Sequence, residues 1–146
     1  MPSYTLTCPP LETSPRIARD FVATVLRELR LDAELVDDAT LCTSELVTNA
    51  CVHAKGGDGA ALWLGVEDGR VRVVVYDRDE SPPVAKELIP DAWETGGRGL
   101  YLVDALTHGQ WGHGPAVPRG KAVWFDLALK APAPPPTTPM RLTHRA

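Results

Sequence analysis

The chain has 146 residues, 44% of them hydrophobic and 23% charged, which suffices for one domain with a real core. No run of about 18 apolar residues occurs, so neither a transmembrane span nor wholesale disorder is expected. Fifteen basic residues against nineteen acidic ones, a formal net charge of -4, offer no general attraction to a nucleic-acid backbone, so direct nucleic-acid binding is not expected. The imbalance is uneven: Lys130, Arg141 and Arg145 follow the last strand-like segment with no acid among them, leaving 12 basic against 19 acidic residues, near -7, before Lys130. A polyphosphate held by such an acidic body needs a metal ion or a local nest of donors. Met1 to Cys8 carries no secretory signal pattern, and an odd count of three cysteines fits reduced thiols, so the expected location is cytoplasmic.

Thr5 to Cys8 reads as a short strand closed by Pro9 and Pro10. Ser14 then Pro15 makes a helix start, because a proline at the first helical position gives up only an N–H that has no partner there. Ile17, Phe21, Val25 and Leu29 recur every four residues and predict an amphipathic helix ending near Arg30. A second helix is expected from Ala33 to Ala54, stopped by Gly56 and Gly57. Ala61 to Val66 and Val71 to Tyr76 are strand-like runs, and the Asp68-Gly69 pair between them marks an antiparallel hairpin.

From Asp77 to Gly97 no helical or strand period persists, and Pro82, Pro83 and Pro90 break the backbone, which predicts a long loop. Arg98 to Leu106 returns to helical spacing and Gly109 caps it. Gln110 to Gly112 and Ala122 to Leu129 read as a closing hairpin. Residues 131–146 hold five prolines and few large apolar side chains, so the expected organisation is a domain over 1–130 and a disordered Pro-rich tail over 131–146. The order strand, helix, helix, strand, strand, loop, helix, strand, strand predicts an α+β, two-layer α/β sandwich: a mixed, mostly antiparallel sheet with its helices on one face. A doubly wound fold would need a regular alternation that is absent.

Three groups of residues carry chemistry. Glu45, Asn49 and His53 lie four apart on the second helix and form a polar stripe beside apolar Leu46, Val47 and Ala50. A carboxylate there can take a proton, an amide oxygen can serve a hard cation such as Mg²⁺, and an imidazole can approach phosphate. Gly96, Gly97, Arg98 and Gly99 precede a helix whose N-terminal N–H groups can face an anion. Asp77 ends a strand and can accept from an exocyclic amine. Taken singly, each has a plainer explanation: a solvated helix face, a flexible helix start, a turn former.

As an ordered set they differ. ELVTNACVHA (Glu45 to Ala54), VVVYDRDESPP (Val73 to Pro83), GGRGLYLVDALTHGQWG (Gly96 to Gly112) and GKAVWFDLAL (Gly120 to Leu129) resemble the Bergerat ATP-binding fold of the GHKL superfamily, especially the small anti-sigma-factor serine/threonine kinases of actinobacterial type. The resemblance spans about Thr5 to Leu129 and implies ATP and Mg²⁺ as ligands. It implies Glu45 as general base, Asn49 as Mg²⁺ ligand and His53 beside the phosphates. Asp77 would pair with the adenine amine, and Gly97, Arg98, Gly99 and Leu100 would lie at the phosphates, with the preceding loop as an ATP lid.

The implied activity is transfer of phosphate to a serine or threonine of an antagonist (anti-anti-sigma) protein, and the implied partners are that antagonist and a sigma factor; a homodimer is an open alternative. The sequence departs from the pattern twice. Asp79 stands where the superfamily has glycine after its adenine Asp, and Ala122 stands where the family often has Thr whose hydroxyl helps hold that Asp. Both departures motivate a second reading, a partner-switch module that binds proteins without catalysis. A histidine-kinase module is disfavoured because no helix pair with a phosphoacceptor His precedes the domain. Arg16, Arg19 and Arg27 on the first helix are a guess for a partner surface.

Overall fold

The structure, a computed structural model, describes residues 2–53, 58–78, 97–117 and 119–130. In chain order the elements are β1 (Ser3–Cys8), α1 (Ser14–Glu28), α2 (Ala33–Thr48), a π-helical turn (Asn49–His53), β2 (Ala60–Glu67), β3 (Arg70–Asp77), α3 (Gly97–Leu106), β4 (Trp111–Pro115) and β5 (Lys121–Ala128). The expected succession of elements is the one observed. The expected lid residues 79–96 and the tail 131–146 lie outside the described residues.

Local chemistry explains most boundaries. Pro15 sits in the first turn of α1, and the helix closes at Leu29, where Arg30 takes a left-handed φ of 61°. Asp32 caps α2 by accepting from the Glu34 backbone N–H at 3.1 Å. Asp68 and Gly69, with φ of 53° and 74°, make the two-residue turn of the β2–β3 hairpin, and two successive positive φ values match the right-handed strand twist.

The five strands form one sheet in the order β1-β2-β3-β5-β4, and every pairing is antiparallel. Among the described residues the sheet is therefore purely antiparallel, not mixed. Side chains alternate across it. Leu62, Leu64, Val71, Val73, Val75, Phe125 and Leu127 point to one side, where they are buried against Val22 and Leu26 of α1, Val36, Ala39 and Val47 of α2, and Leu100 and Val103 of α3. The other side presents Trp63, Arg72, Val74, Tyr76, Trp124 and Asp126, and no described helix covers it. Several expected boundaries move by a residue or two, and two move further. The second helix stays α-helical only to Thr48 and then widens into the π turn, and the fourth strand runs over Trp111–Pro115 instead of 110–112.

Candidate functional site

The site lies at one end of the helix layer, and the chain path shows why. The N-terminus of α2 and the C-terminus of α3 share a cleft of about 180 Å³, lined by Asp32, Glu34, Asp38, Leu106, His108 and Lys130, beside the end of β5. Packed antiparallel, α2 and α3 therefore bring the C-terminal half of α2 and the N-terminus of α3 to the opposite end, where β3 finishes at Asp77 and β5 begins at Lys121. Glu45 and Asn49 are half-buried there, on the last turns of α2 and at the start of the π turn.

The π turn was not expected. Its hydrogen-bond spacing is one residue wider than α-helical, and it begins at Asn49, so Glu45 stands on the last turns of the α-helix and Asn49 opens the π turn. Such turns are frequent at functional sites. The His53 side chain lies outside the described residues. The π turn packs against β3. Cys51 within it lies close enough to the end of that strand for the charge of Asp77 to act on its thiol. Burial is the main cause that pushes the Cys51 thiol up to about 11; Cys8 and Asp77 add to it, and the Ser14 hydroxyl opposes it. Cys42 rises to about 12, through burial first and then the charges of Asp38 and Glu45. Neither thiol is a nucleophile at neutral pH.

Asp77 is buried, 7% exposed, and its side chain points to the helix side, in phase with Val71, Val73 and Val75. Lys121, directly opposite on β5 and nearly as buried, brings Nζ to 3.5 Å from Asp77 Oδ2. Register corrects the expectation about Ala122. Position 122 pairs with Tyr76 and shares its face, the one without helices, so its side chain does not face Asp77. The residue set to hold the Asp77 carboxylate is Lys121, one position earlier. Gly120 makes this possible: its φ is 92°, and a Cβ there would run into the Asp77 carbonyl oxygen and lie 2.8 Å from Arg78 Cα. Lys121 and Gly120 open the quoted GKAVWF segment, but their role depends on strand register, which single-residue spacing does not reveal.

Gly97, Arg98 and Gly99 form the first turn of α3, so their backbone lies at the helix N-terminus that points to the Asp77 end; their side-chain surroundings lie outside the described residues. Leu100 is 2% exposed, and its side chain packs into the core. Asp79 falls outside the described residues. No group of three or more His, Cys, Asp or Glu side chains gathers as a metal cluster among the described residues.

A profile of the histidine kinase-like ATPase domain matches residues 8–125, which is most of the chain. The chain belongs to the histidine kinase-like ATPase domain family. ATP binding is the property this membership implies for the ATPase-like domain, and its fold is the expected GHKL-type sandwich. Among solved structures it is similar to the RsbU and RsbW domains of Rv1364c from Mycobacterium tuberculosis, at 23% identity and a TM-score of 0.69 over 91% of this chain and 34% of that one. A second similarity, to full-length ShkA in complex with AMPPNP, has 24% identity and a TM-score of 0.48 over 66% of this chain and 23% of that one. The ATPase-like domain thus spans about a third or less of those proteins' length. No curated protein matches it. No described helix is long and apolar enough to cross a membrane.

Proposed function

We propose that this ATPase-like domain is an anti-sigma-type serine/threonine protein kinase, which holds a sigma factor and phosphorylates a hydroxyl of an antagonist protein. One juxtaposition carries the reading: Glu45 and Asn49, the buried Asp77 carboxylate and the N-terminus of α3 share one end of the helix layer. In this reading Asp77 accepts from the adenine amine. The N–H groups of Gly97, Arg98 and Gly99 donate toward the phosphates, with Leu100 anchoring that turn in the core and the Arg98 guanidinium and His53 beside them. Glu45 takes the proton of the attacking hydroxyl. Asn49 offers a neutral amide oxygen to Mg²⁺. One such oxygen without a carboxylate cluster suits an ion held largely by phosphate oxygens and water. When bound, Mg²⁺ would neutralise the phosphate charge that the acidic body otherwise repels.

Positioning and charge neutralisation are most of what phosphoryl transfer requires, so this set is sufficient. A second reading, a partner switch without catalysis, is favoured by one observation, the Lys121 ammonium already seated 3.5 Å from the Asp77 carboxylate. Titration calorimetry with Mg-ATP separates the two, because the kinase requires binding and the switch does not. Glu45→Ala then tests the chemistry. Transfer to the antagonist should fall by about 10²–10⁴-fold with nucleotide affinity unchanged. Full-rate transfer without Glu45 would remove it from the base role.

A further inference from the structure

The helix-covered face of the sheet ends in a row of four residues: Cys8, Ala60, Asp77 and Lys121 stand opposite one another across β1, β2, β3 and β5. Cys8 and Ala60 are short and buried. Asp77 and Lys121 are neighbours of opposite charge, with only 4% and 12% of their side chains exposed. Lys121 Nζ lies 3.5 Å from Asp77 Oδ2, longer than the about 2.7–2.9 Å of a closed charge-assisted hydrogen bond. The two other cations of these last two strands gather at Asp126 on the open face. Arg72 donates to it at 2.7 and 2.8 Å, with its guanidinium carbon 4.6 Å from the Trp124 ring centroid, and Arg70 Nε lies 3.5 Å from the same carboxylate.

Stability alone is a poor reason for the Asp77–Lys121 pair, because apolar side chains of similar volume pack as well as a buried ion pair or better. A ligand with a donor beside an acceptor is a better one. Adenine has that edge: its N6 amine donates and its ring N1, on the next ring atom, accepts. An ammonium carries three N–H donors, so it can face a carboxylate and a ring nitrogen together. We infer, on the nucleotide reading above, that Lys121 is a second base-reading residue, its ammonium donating to adenine N1 while the Asp77 carboxylate accepts from the N6 amine.

The pair is then a filter for the base. In the same seat guanine or hypoxanthine would turn a carbonyl oxygen to the carboxylate and an N–H to the ammonium, acceptor against acceptor and donor against donor. Buried polar groups left unpaired by the wrong ligand discriminate strongly. Asp77 rejects such a base through one contact, and Lys121 adds the other. Strand register builds the device. Gly120, with φ of 92° and no room for a Cβ beside the Asp77 carbonyl, lets the start of β5 close on the end of β3, which makes Lys121 the cross-strand partner of Asp77. Ala122 pairs with Tyr76 on the other face and cannot take this part.

Titration calorimetry of the full chain with the magnesium complexes of ATP and of 1-deaza-ATP, which keeps the amine and has C–H in place of N1, tests the inference. The unsubstituted chain should bind 1-deaza-ATP about 10- to 100-fold more weakly than ATP. Lys121→Met should lose a similar factor for ATP and bind the two nucleotides within about threefold of each other. If ATP binds and 1-deaza-ATP binds equally well, the nucleotide reading stands and this inference alone is overturned. Discrimination that survives in Lys121→Met overturns it as well. If ATP does not bind the unsubstituted chain, the nucleotide reading falls and takes the inference with it. Because Lys121→Met removes half of a buried pair, the Nζ resonance of Lys121 in the unsubstituted, isotope-labelled chain gives a second readout. ATP should move it and 1-deaza-ATP should move it several-fold less; equal movement would count against Lys121 as the N1 donor.

Discussion

The two faces of the sheet each pair an aspartate with a cation, and they do it differently. On the helix-covered face Asp77 meets the point charge of Lys121 at 3.5 Å, both side chains nearly buried. On the open face Asp126 takes a forked grip on Arg72 at 2.7 and 2.8 Å, and the arginine remains 36% exposed. A planar fork saturates a carboxylate in one geometry, whereas an ammonium on a flexible stem can move aside when a ligand group arrives. The forked pair suits a fixed surface and the ammonium pair suits a binding site, although both join the same two strands, β3 and β5.

Adjacent residues of β5 give the largest contrast. Phe125 is fully buried under the helices, so Phe125→Ala should cost about 3–5 kcal/mol in urea unfolding. Trp124→Ala, one residue away on the open face, should cost less than half of that; equal losses would mean that the open face is as dry as the core. Next in size is Lys121→Ala. It leaves Asp77 charged in a buried place and should destabilise by about 3 kcal/mol, with Asp77→Asn in the same chain recovering part of the loss. If Lys121→Ala is neutral, the pair is not a structural element of the site.

The thiols of the covered side add a pH dependence. In the folded chain Cys42 keeps its proton up to about 12 and Cys51 up to about 11, against an ordinary value of 9.0. The folded state therefore binds more protons than the unfolded one above pH 9. Stability is full below that value and falls as pH rises from 9 toward 11 and 12, by about 1 kcal/mol per thiol at pH 10. Urea midpoints at pH 7 and pH 10 measure the fall, and Cys42→Ala should make it shallower. The smallest effect belongs to the open face. Arg72→Lys breaks a half-exposed fork and should cost less than about 1 kcal/mol, while its loss of planar stacking should shift the Trp124 indole resonance.

Much of the fold was legible because local chemistry set it. Pro15 starts α1, Asp68-Gly69 turns the hairpin, and the Val-rich run from Val71 marks a strand. The fold family was readable from the order of the Glu45, Asp77 and Gly97 segments, since each segment is contiguous. The π turn was not legible. NACVH has no residue that forbids a continued α-helix, and the wider turn forms where α2 meets the end of β3. The partner of Asp77 was missed by a single position, because a shift of one residue in register exchanges the two faces of a strand and only cross-strand pairing tells Lys121 from Ala122.

By itself, then, the sequence determined the kinds of element, their order and the segments that bear chemistry, since turns, caps and hydrophobic periods act over a few neighbouring residues. Tertiary structure alone decided which face each strand residue occupies, where α2 stops being an α-helix, and that two tryptophans 61 positions apart share one row. Those outcomes depend on pairings between distant segments, and a pairing between distant segments has no local signature.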